Sequence, residues 1–474
     1  MQKSNIVFLL LILISALYTT CKDPEPELPD PPVTYPVQVW ITSGDAVNLL
    51  YSKTVDFAKQ RDDRFSVIQI DTAQQFQTVE GFGYTLTGGS ASLINKMSAT
   101  ERSALLNELF GTGDKSIGVS YLRVSIGASD LDASVFSYND LPAGQTDPSL
   151  QFFSLSRDTV DLIPVLKDIL TINPDIKIMG SPWSAPVWMK TNGGSIGGNL
   201  KPEYYGTYAA YFVKYIQAMQ GRGIRIDAVT PQNEPQHGGN NPSMVMSAAQ
   251  QTDFIKNYLG PAFQGAGLDT KIIVWDHNCD NPAYPISVLN DPTANFYVDG
   301  SAFHLYGGDI GALSTVKEAH PDKALYFTEQ WTSANGDFGE DLTWHLKHVI
   351  IGSMRNHSRV ALEWNLANDP SFGPHTPGGC TLCKGALTID GNAVTRNVSY
   401  YIVAQASKFV PPGSVRLGSN VTGQLHNVAF RRPDGKTVLI VMNEGADLTS
   451  FNINCGGKWI VSSLRGGTVG TFVW

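Results

Sequence analysis

Two stretches decide the fold: Asp227-Ala-Val-Thr-Pro-Gln-Asn-Glu-Pro235 and Ala324-Leu-Tyr-Phe-Thr-Glu-Gln-Trp331. In each, a short apolar run reads as a strand and a glutamate, Glu234 or Glu329, stands at its C-terminal tip. Around them, short apolar strands alternate with longer amphipathic segments. Candidate strands fall at 80–86, 120–127, 176–181, 227–232, 271–276, 300–305, 324–328 and 359–364. The segments 100–110, 161–170 and 204–220 repeat apolar residues at helical spacing. Parallel strands joined this way need right-handed crossovers and a sheet covered on both faces. Eight such units specify a (β/α)8 TIM barrel of the α/β class, running over residues 79–395. A doubly wound open sheet is the competing architecture, but no glycine-rich phosphate fingerprint follows the first strand.

The two ends of the chain break this rhythm. Val37-Gln-Val-Trp-Ile41 and Phe65-Ser-Val-Ile-Gln-Ile70 alternate as strands do, and so do Thr437-Val-Leu-Ile-Val-Met442, 448–454 and 459–461. Residues 35–78 and 396–474 are therefore expected to form one β-sandwich side domain built from both chain ends.

Ahead of these lies a different kind of sequence. Lys3 precedes an apolar stretch from Ile6 to Leu17, too short to span a bilayer comfortably, and residues 1–20 read as a signal peptide. Cys21 follows directly. That position points to a bacterial lipoprotein, cleaved before Cys21 and lipidated there, with a plain secretory signal as the alternative. The proline-rich, acidic run Lys22-Asp-Pro-Glu-Pro-Glu-Leu-Pro-Asp-Pro-Pro32 makes 21–34 an extended tether. The expectation is an exported protein at the outer membrane or cell surface, touching the membrane only through this anchor.

The chain has 474 residues, a formal charge of -9 and 10% aromatic residues. An acidic protein repels polyanions, so nucleic acid is disfavoured as a partner, while a neutral substrate is not. Among the cysteines, Cys380-Thr-Leu-Cys383 sits beside Pro377, Gly378 and Gly379. In an exported protein that spacing points to a small loop-closing disulfide rather than a redox helix. No His, Asp or Glu cluster shows metal-ligand spacing and no cofactor motif appears, so neither metal nor cofactor is expected.

Active sites of this barrel lie at the C-terminal strand ends. Glu234 ends the fourth strand and Glu329 the seventh. Two carboxyls facing each other across a sugar, about 5 Å apart, are the minimum for cleaving a glycosidic bond with retention. One must hold a proton for the leaving oxygen, and the other must be ionised to attack the anomeric carbon. Glu234, with Asn233 beside it to reach the sugar 2-hydroxyl, suits the acid/base role. Glu329 suits the nucleophile, with Arg123 at the second strand or the Tyr306 hydroxyl to keep it charged. His304 reads either as a substrate contact or as a satisfied core histidine.

Several longer motifs resemble glycoside hydrolase family 30, the glucosylceramidase-like family. They are Phe76-Gln-Thr-Val-Glu-Gly-Phe-Gly83, Leu122-Arg-Val-Ser125 with Gly127-Ala-Ser-Asp130, and Gly180-Ser-Pro-Trp-Ser-Ala-Pro-Val-Trp-Met-Lys-Thr-Asn-Gly193. Further along come Pro231-Gln-Asn-Glu-Pro235, Phe303-His-Leu-Tyr306, Phe327-Thr-Glu-Gln330 and Leu362-Glu-Trp-Asn-Leu-Ala367. The resemblance covers nearly everything after the tether. It implies that Glu234 is the acid/base and Glu329 the nucleophile. It also implies that Asp130 and Trp183 bind the glucosyl unit, that Asn233 holds the 2-hydroxyl, that Trp364 forms an apolar wall and that Asn365 adds a polar contact. Leu305 stands where the best-known members carry tryptophan. The loop 373–384 also differs and is expected to shape the leaving-group side.

The expected activity is a retaining β-glycosidase on β-glucan or another β-glucoside, with an endo-β-1,6-glucanase as the first expectation. An exo-acting β-glucosidase or glucosylceramidase is the alternative, followed by β-xylosidase or xylanase. A non-catalytic glycan-binding surface protein is the reading from outside enzymology. A pure binder has no use for an acid/base pair, which sets that reading last.

Overall fold

The computed structural model describes residues 36–474. The expected signal peptide, Cys21 and the whole of the 21–34 tether lie outside the described residues. Among those residues, no helix is long and apolar enough to cross a membrane.

The eight expected strands form a closed parallel barrel. They are β1 (Gly81–Thr85), β2 (Tyr121–Ser125), β3 (Lys177–Ser181), β4 (Ala228–Val229), β5 (Lys271–Cys279), β6 (Val298–Gly308), β7 (Ala324–Glu329) and β8 (Ser358–Asn365). The order around the barrel is β7-β8-β1-β2-β3-β4-β5-β6. β1, β2 and β7 are buried along their whole length. That is the consequence of a parallel sheet with side chains filling one face and helices covering the other. Tyr121, Met179, Ala228, Ile273, Ala302, Tyr326, Val360 and Leu362 form one packed cluster inside the barrel. Their neighbours Leu122, Ile178, Val229, Val274, Phe303, Phe327 and Ala361 join the outer core with the helices.

The three helices expected from apolar spacing are present at Ala99–Phe110, Leu162–Ile172 and Tyr205–Gln220. The last buries Tyr205, Tyr208, Ala209, Tyr211, Phe212, Tyr215, Ile216 and Met219, a single stripe at three- and four-residue steps.

β4 is shorter than its expected range. Its ladder stops at Val229, and Pro231 two residues on has no N–H to continue it. Beyond it the backbone stays tied to its neighbours, with Thr230 N–H donating to the Gly180 carbonyl at 3.0 Å and Glu234 N–H to the Asp276 carbonyl at 3.0 Å.

The side domain is a nine-stranded sheet folded around its own core. Its order is Tyr51–Val55, Val37–Ser43, Thr468–Val473, Thr437–Asn443, Leu425–Arg431, Val415–Ser419, Ser66–Thr78, Thr449–Cys455 and Lys458–Leu464. Both chain ends contribute. Val37, Val39, Ile68, Leu417, Leu439, Phe451, Ile460 and Phe472 pack in its interior. The helix Val398–Ser407, which begins just past the expected 395/396 division, is buried at every residue. Tyr84 Oη on β1 donates to the Ser399 carbonyl at 3.1 Å. Gln405 donates to Thr42 Oγ1 at 2.8 Å and accepts from Thr471 Oγ1 at 2.6 Å. This helix therefore bonds to the barrel with one end and to the sheet with the other.

Candidate active site

Side-chain parity along the barrel strands accounts for most of the site. On β2, Tyr121 points inward, and so does Arg123 two residues later, now at the mouth. On β8, Val360 and Leu362 point inward, and Trp364 follows. Glu329 breaks the parity, because Ala324 and Tyr326 already occupy the inward positions. A register irregularity corrects it. Phe327 pairs with Phe303 but Glu329 with His304, so two residues of β7 face one of β6. The bulge turns Glu329 toward the mouth. A second irregularity lies between Trp275 and His277 on β5, where Trp275 and Asp276 take φ of 76° and 61°. Glu234 also has positive φ, 45°. Left-handed backbone at three non-glycine positions is strain that the surrounding packing must hold in place.

The cavity these residues enclose has a volume of about 290 Å³ and is lined by Asp130, Trp183, Glu234, Tyr306, Glu329 and Trp364, among others. One oxygen of Glu234, one of Glu329 and a ring nitrogen of His304 lie within 4.8 Å of one another. Arg123, fully buried, organises the floor. Its Nη1 donates to Glu329 Oε2 at 2.6 Å. Its Nη2 donates to Asn233 Oδ1 at 2.6 Å and to Asp276 Oδ2 at 2.8 Å. The guanidinium carbon lies 4.8 Å from the Trp183 ring centre, a cation–π contact that fixes the indole. Tyr306 Oη donates to Glu329 Oε1 at 2.9 Å.

The electrostatics follow from these contacts. Burial pushes the Glu329 carboxyl up, and the charges of Glu234 and Asp276 push the same way, against the pull of His304 and Arg123. Arg123 and Tyr306 each donate directly to it, which favours the ionised form. Burial would also raise Glu234, but the hydrogen bond and charge of His304 draw it lower. His304 lies 3.2 Å from Glu234 Oε1 through Nδ1 and 3.1 Å from Asp276 Oδ1 through Nε2. Burial alone would lower its pKa. The Glu329 carboxylate, with the bonds to Asp276 and Glu234, raises it to about 9. These opposite directions favour a proton shared by Glu234 and His304 lying on the imidazole side. Asp276 would be raised by burial, yet Arg123, His304 and Thr328 hold it well below the usual range.

The other expected site residues divide into two groups. Asp130, Trp183, Tyr306 and Trp364 line the cavity. Asn365, Arg123 and His304 lie behind the lining, and Asn233 is buried next to Glu234 in the chain. Asn233 uses its Oδ1 to accept from Arg123, and its Nδ2 donates to no other described residue, so both N–H donors remain for a ligand. Asn365 is turned to the Ala367 carbonyl. His304 is fully buried, and its two ring nitrogens are taken up by carboxylates, so a direct sugar contact is replaced by a role behind Glu234.

Asp276 and His277 are absent from the residues singled out by sequence. Asp276 ends the candidate strand 271–276, so reading every strand end would have reached it. Glu234, His304 and Glu329 are compact enough to grip a cation. Their atoms are already engaged with one another, with Arg123 and with Tyr306. Cys380 and Cys383 form the expected disulfide.

Comparison with known proteins places this geometry. The model of the "Glycosyl hydrolase family 30 TIM-barrel domain" matches residues 79–410, and that of the "Glycosyl hydrolase family 30 beta sandwich domain" matches 413–472. The chain belongs to glycosyl hydrolase family 30. It is therefore a glycoside hydrolase. It is similar to the endo-1,6-beta-D-glucanase neg1 of Aspergillus fumigatus, with 36% identity over 81% of this chain and 82% of the relative. It is also similar to the lysosomal acid glucosylceramidase of Mus musculus, with 30% identity over 86% and 83%. Among solved structures, the endo-beta1,6-glucanase BT3312 superposes with a TM-score of 0.87 at 34% identity, covering 93% of this chain and 99% of that one.

Proposed function

We propose that this chain is an endo-acting β-1,6-glucanase that retains anomeric configuration, with Glu329 as nucleophile and Glu234 as acid/base. The observation that carries the reading is the carboxylate pair, whose nearest oxygens lie within 4.8 Å of each other and whose surroundings are unlike. That spacing suits direct attack by one carboxylate, since an inverting pair stands roughly 6.5–9.5 Å apart to admit water. Similarity to family members named for 1,6-glucan cleavage, at 34% to 38% identity, supports the linkage.

In the first step Glu329, positioned by Arg123 and Tyr306, attacks the anomeric carbon. The glycosidic oxygen leaves with a proton from Glu234. A bound glycan strips water from Glu234, which raises the cost of its charge and draws the shared proton from His304 onto the carboxyl. In the second step Glu234 takes a proton from water, and the hydroxide equivalent cleaves the glycosyl ester on Glu329. Asn233 Nδ2 is the donor for the 2-hydroxyl.

The N-terminal sequence supports a location outside the cytoplasm, with Cys21 as the lipid site. The glucan would then be environmental. Digestion of a β-1,6-glucan should release oligosaccharides of mixed length from the earliest time points. Glucose as the sole early product would replace this reading with the exo-acting β-glucosidase or glucosylceramidase alternative.

A further inference from the structure

The segment after β8 is expected from sequence to shape the leaving-group side. In the structure it is tied first to Asp130. Thr376 N–H donates to the Asp130 carbonyl at 2.9 Å, and Gly379 N–H donates to the Thr376 carbonyl at 2.9 Å. Asn241 Nδ2, in the loop after β4, donates to the Pro377 carbonyl at 2.9 Å. Cys383 and Lys384 pair with Ser333 and Thr332, just beyond Glu329, and Ala334 N–H donates to the Leu382 carbonyl at 2.8 Å. One loop thus links the chain segments that follow β2, β4 and β7.

The disulfide closes the turn between these anchors. Both half-cystines line the cavity, and they pack with Leu131, Trp183, Trp331 and Trp364. Cys380 N–H lies 3.3 Å from Asp130 Oδ2, the one hydrogen bond this buried carboxyl receives from another described residue. Burial, aided by the Glu329 charge, raises Asp130 to about 7. A carboxyl so poorly supplied with partners depends on that single N–H for its orientation. The approach is also close. A Cβ on Gly379 would come within 2.3 Å of the Asp130 carbonyl oxygen, so only glycine lets the loop lie there. Gly378, at φ 82°, makes the adjoining stretch freer still if it is not cross-linked.

We propose that the Cys380–Cys383 disulfide is a positioning element of the innermost sugar subsite, holding the Cys380 N–H on the Asp130 carboxyl and the loop against Trp183 and Trp364. The proposal rests on the reading of this cavity as the sugar site, but not on the linkage cleaved. The ring is short, so the cross-link constrains the unfolded chain little and its loss leaves the barrel folded. What loosens is the wall of the site.

The test uses 4-nitrophenyl β-glucoside, which fills the innermost subsite whatever the natural linkage. KM, kcat and Tm are measured for the full chain, for Cys380→Ser with Cys383→Ser, for Asp130→Asn, and for all three changes together. The serine pair should raise KM about tenfold, the scale of one hydrogen bond to a carboxylate, with kcat and Tm nearly unchanged. In the Asp130→Asn background the same pair should raise KM less than about threefold, because interacting residues are not additive. Reversible reduction with dithiothreitol, which gives up two electrons and two protons to form two thiols, should reproduce the KM rise, and reoxidation should undo it. An unchanged KM, or a rise of equal size in both backgrounds, would overturn the proposal. So would a loss that merely tracks a fall in Tm.

Discussion

Glu329→Gln should reduce kcat on both β-1,6-glucan and aryl β-glucosides by on the order of 10⁴-fold or more, about 5.5 kcal/mol of transition-state stabilisation. The amide is isosteric, but its oxygen and nitrogen cannot attack the anomeric carbon, so the covalent route closes for every substrate. The substitution spares the fold. Arg123 keeps its ion pair with Asp276 at 2.8 Å, and Tyr306 keeps an acceptor. Tm should therefore fall by only a few degrees while turnover disappears. Steady-state kinetics beside a melting curve separate the two effects. A folded variant with more than about a tenth of native turnover would remove Glu329 from its role, because general effects of charge loss are far smaller than loss of a nucleophile.

Glu234→Gln should behave differently, because a proton donor matters in proportion to how poor the leaving group is. On β-1,6-glucan, whose leaving alkoxide needs the proton, kcat should fall roughly 10²- to 10⁴-fold. On a 2,4-dinitrophenyl β-glucoside the first step needs no acid, and the slow step becomes breakdown of the glycosyl ester. Azide, which needs no base, should restore turnover and yield a β-glucosyl azide.

The pH profile should change as well. In the native protein the proton shared by Glu234 and His304 must be present for the leaving group to depart. Activity on glucan should therefore fall as pH rises toward the His304 value of about 9. The variant should lose this alkaline limb. Equal losses on both substrates, without azide rescue, would place the acid elsewhere.

Much of this was legible in the sequence. The barrel strands could be read because a parallel sheet covered on both faces demands uninterrupted apolar runs, as in Tyr326-Phe327 or Val360-Ala361-Leu362. Glu234 and Glu329 could be read because strand ends carry the chemistry of this fold. Two kinds of information were not legible. The first is backbone irregularity. Nothing in Trp275-Asp276-His277 announces a bulge, yet it turns Asp276 onto Arg123, Thr328 and His304 and makes it the anchor of the site.

The second is partnership across long separations. His304 looks the same whether it faces a sugar or two carboxylates. The loop with Cys380 gives no sign that its N–H meets a carboxyl 250 residues earlier. Side-domain strands suffered similarly. Tyr51–Val55 lies at the sheet edge and is half exposed, so it carries little apolar signal. Thr468–Val473 is buried throughout, but its Gly470 and threonines mask the pattern.

Glu329 is expected to bond covalently to the sugar. A 2-deoxy-2-fluoro-β-glucoside with an activated leaving group slows both steps but formation less than breakdown, so the ester should accumulate. Intact mass should show one fluoroglucosyl unit per chain, and peptide mapping should place it on Glu329. An adduct on another residue, or none while proton NMR of glucan cleavage shows the α-anomer forming first, would contradict a covalent route through Glu329.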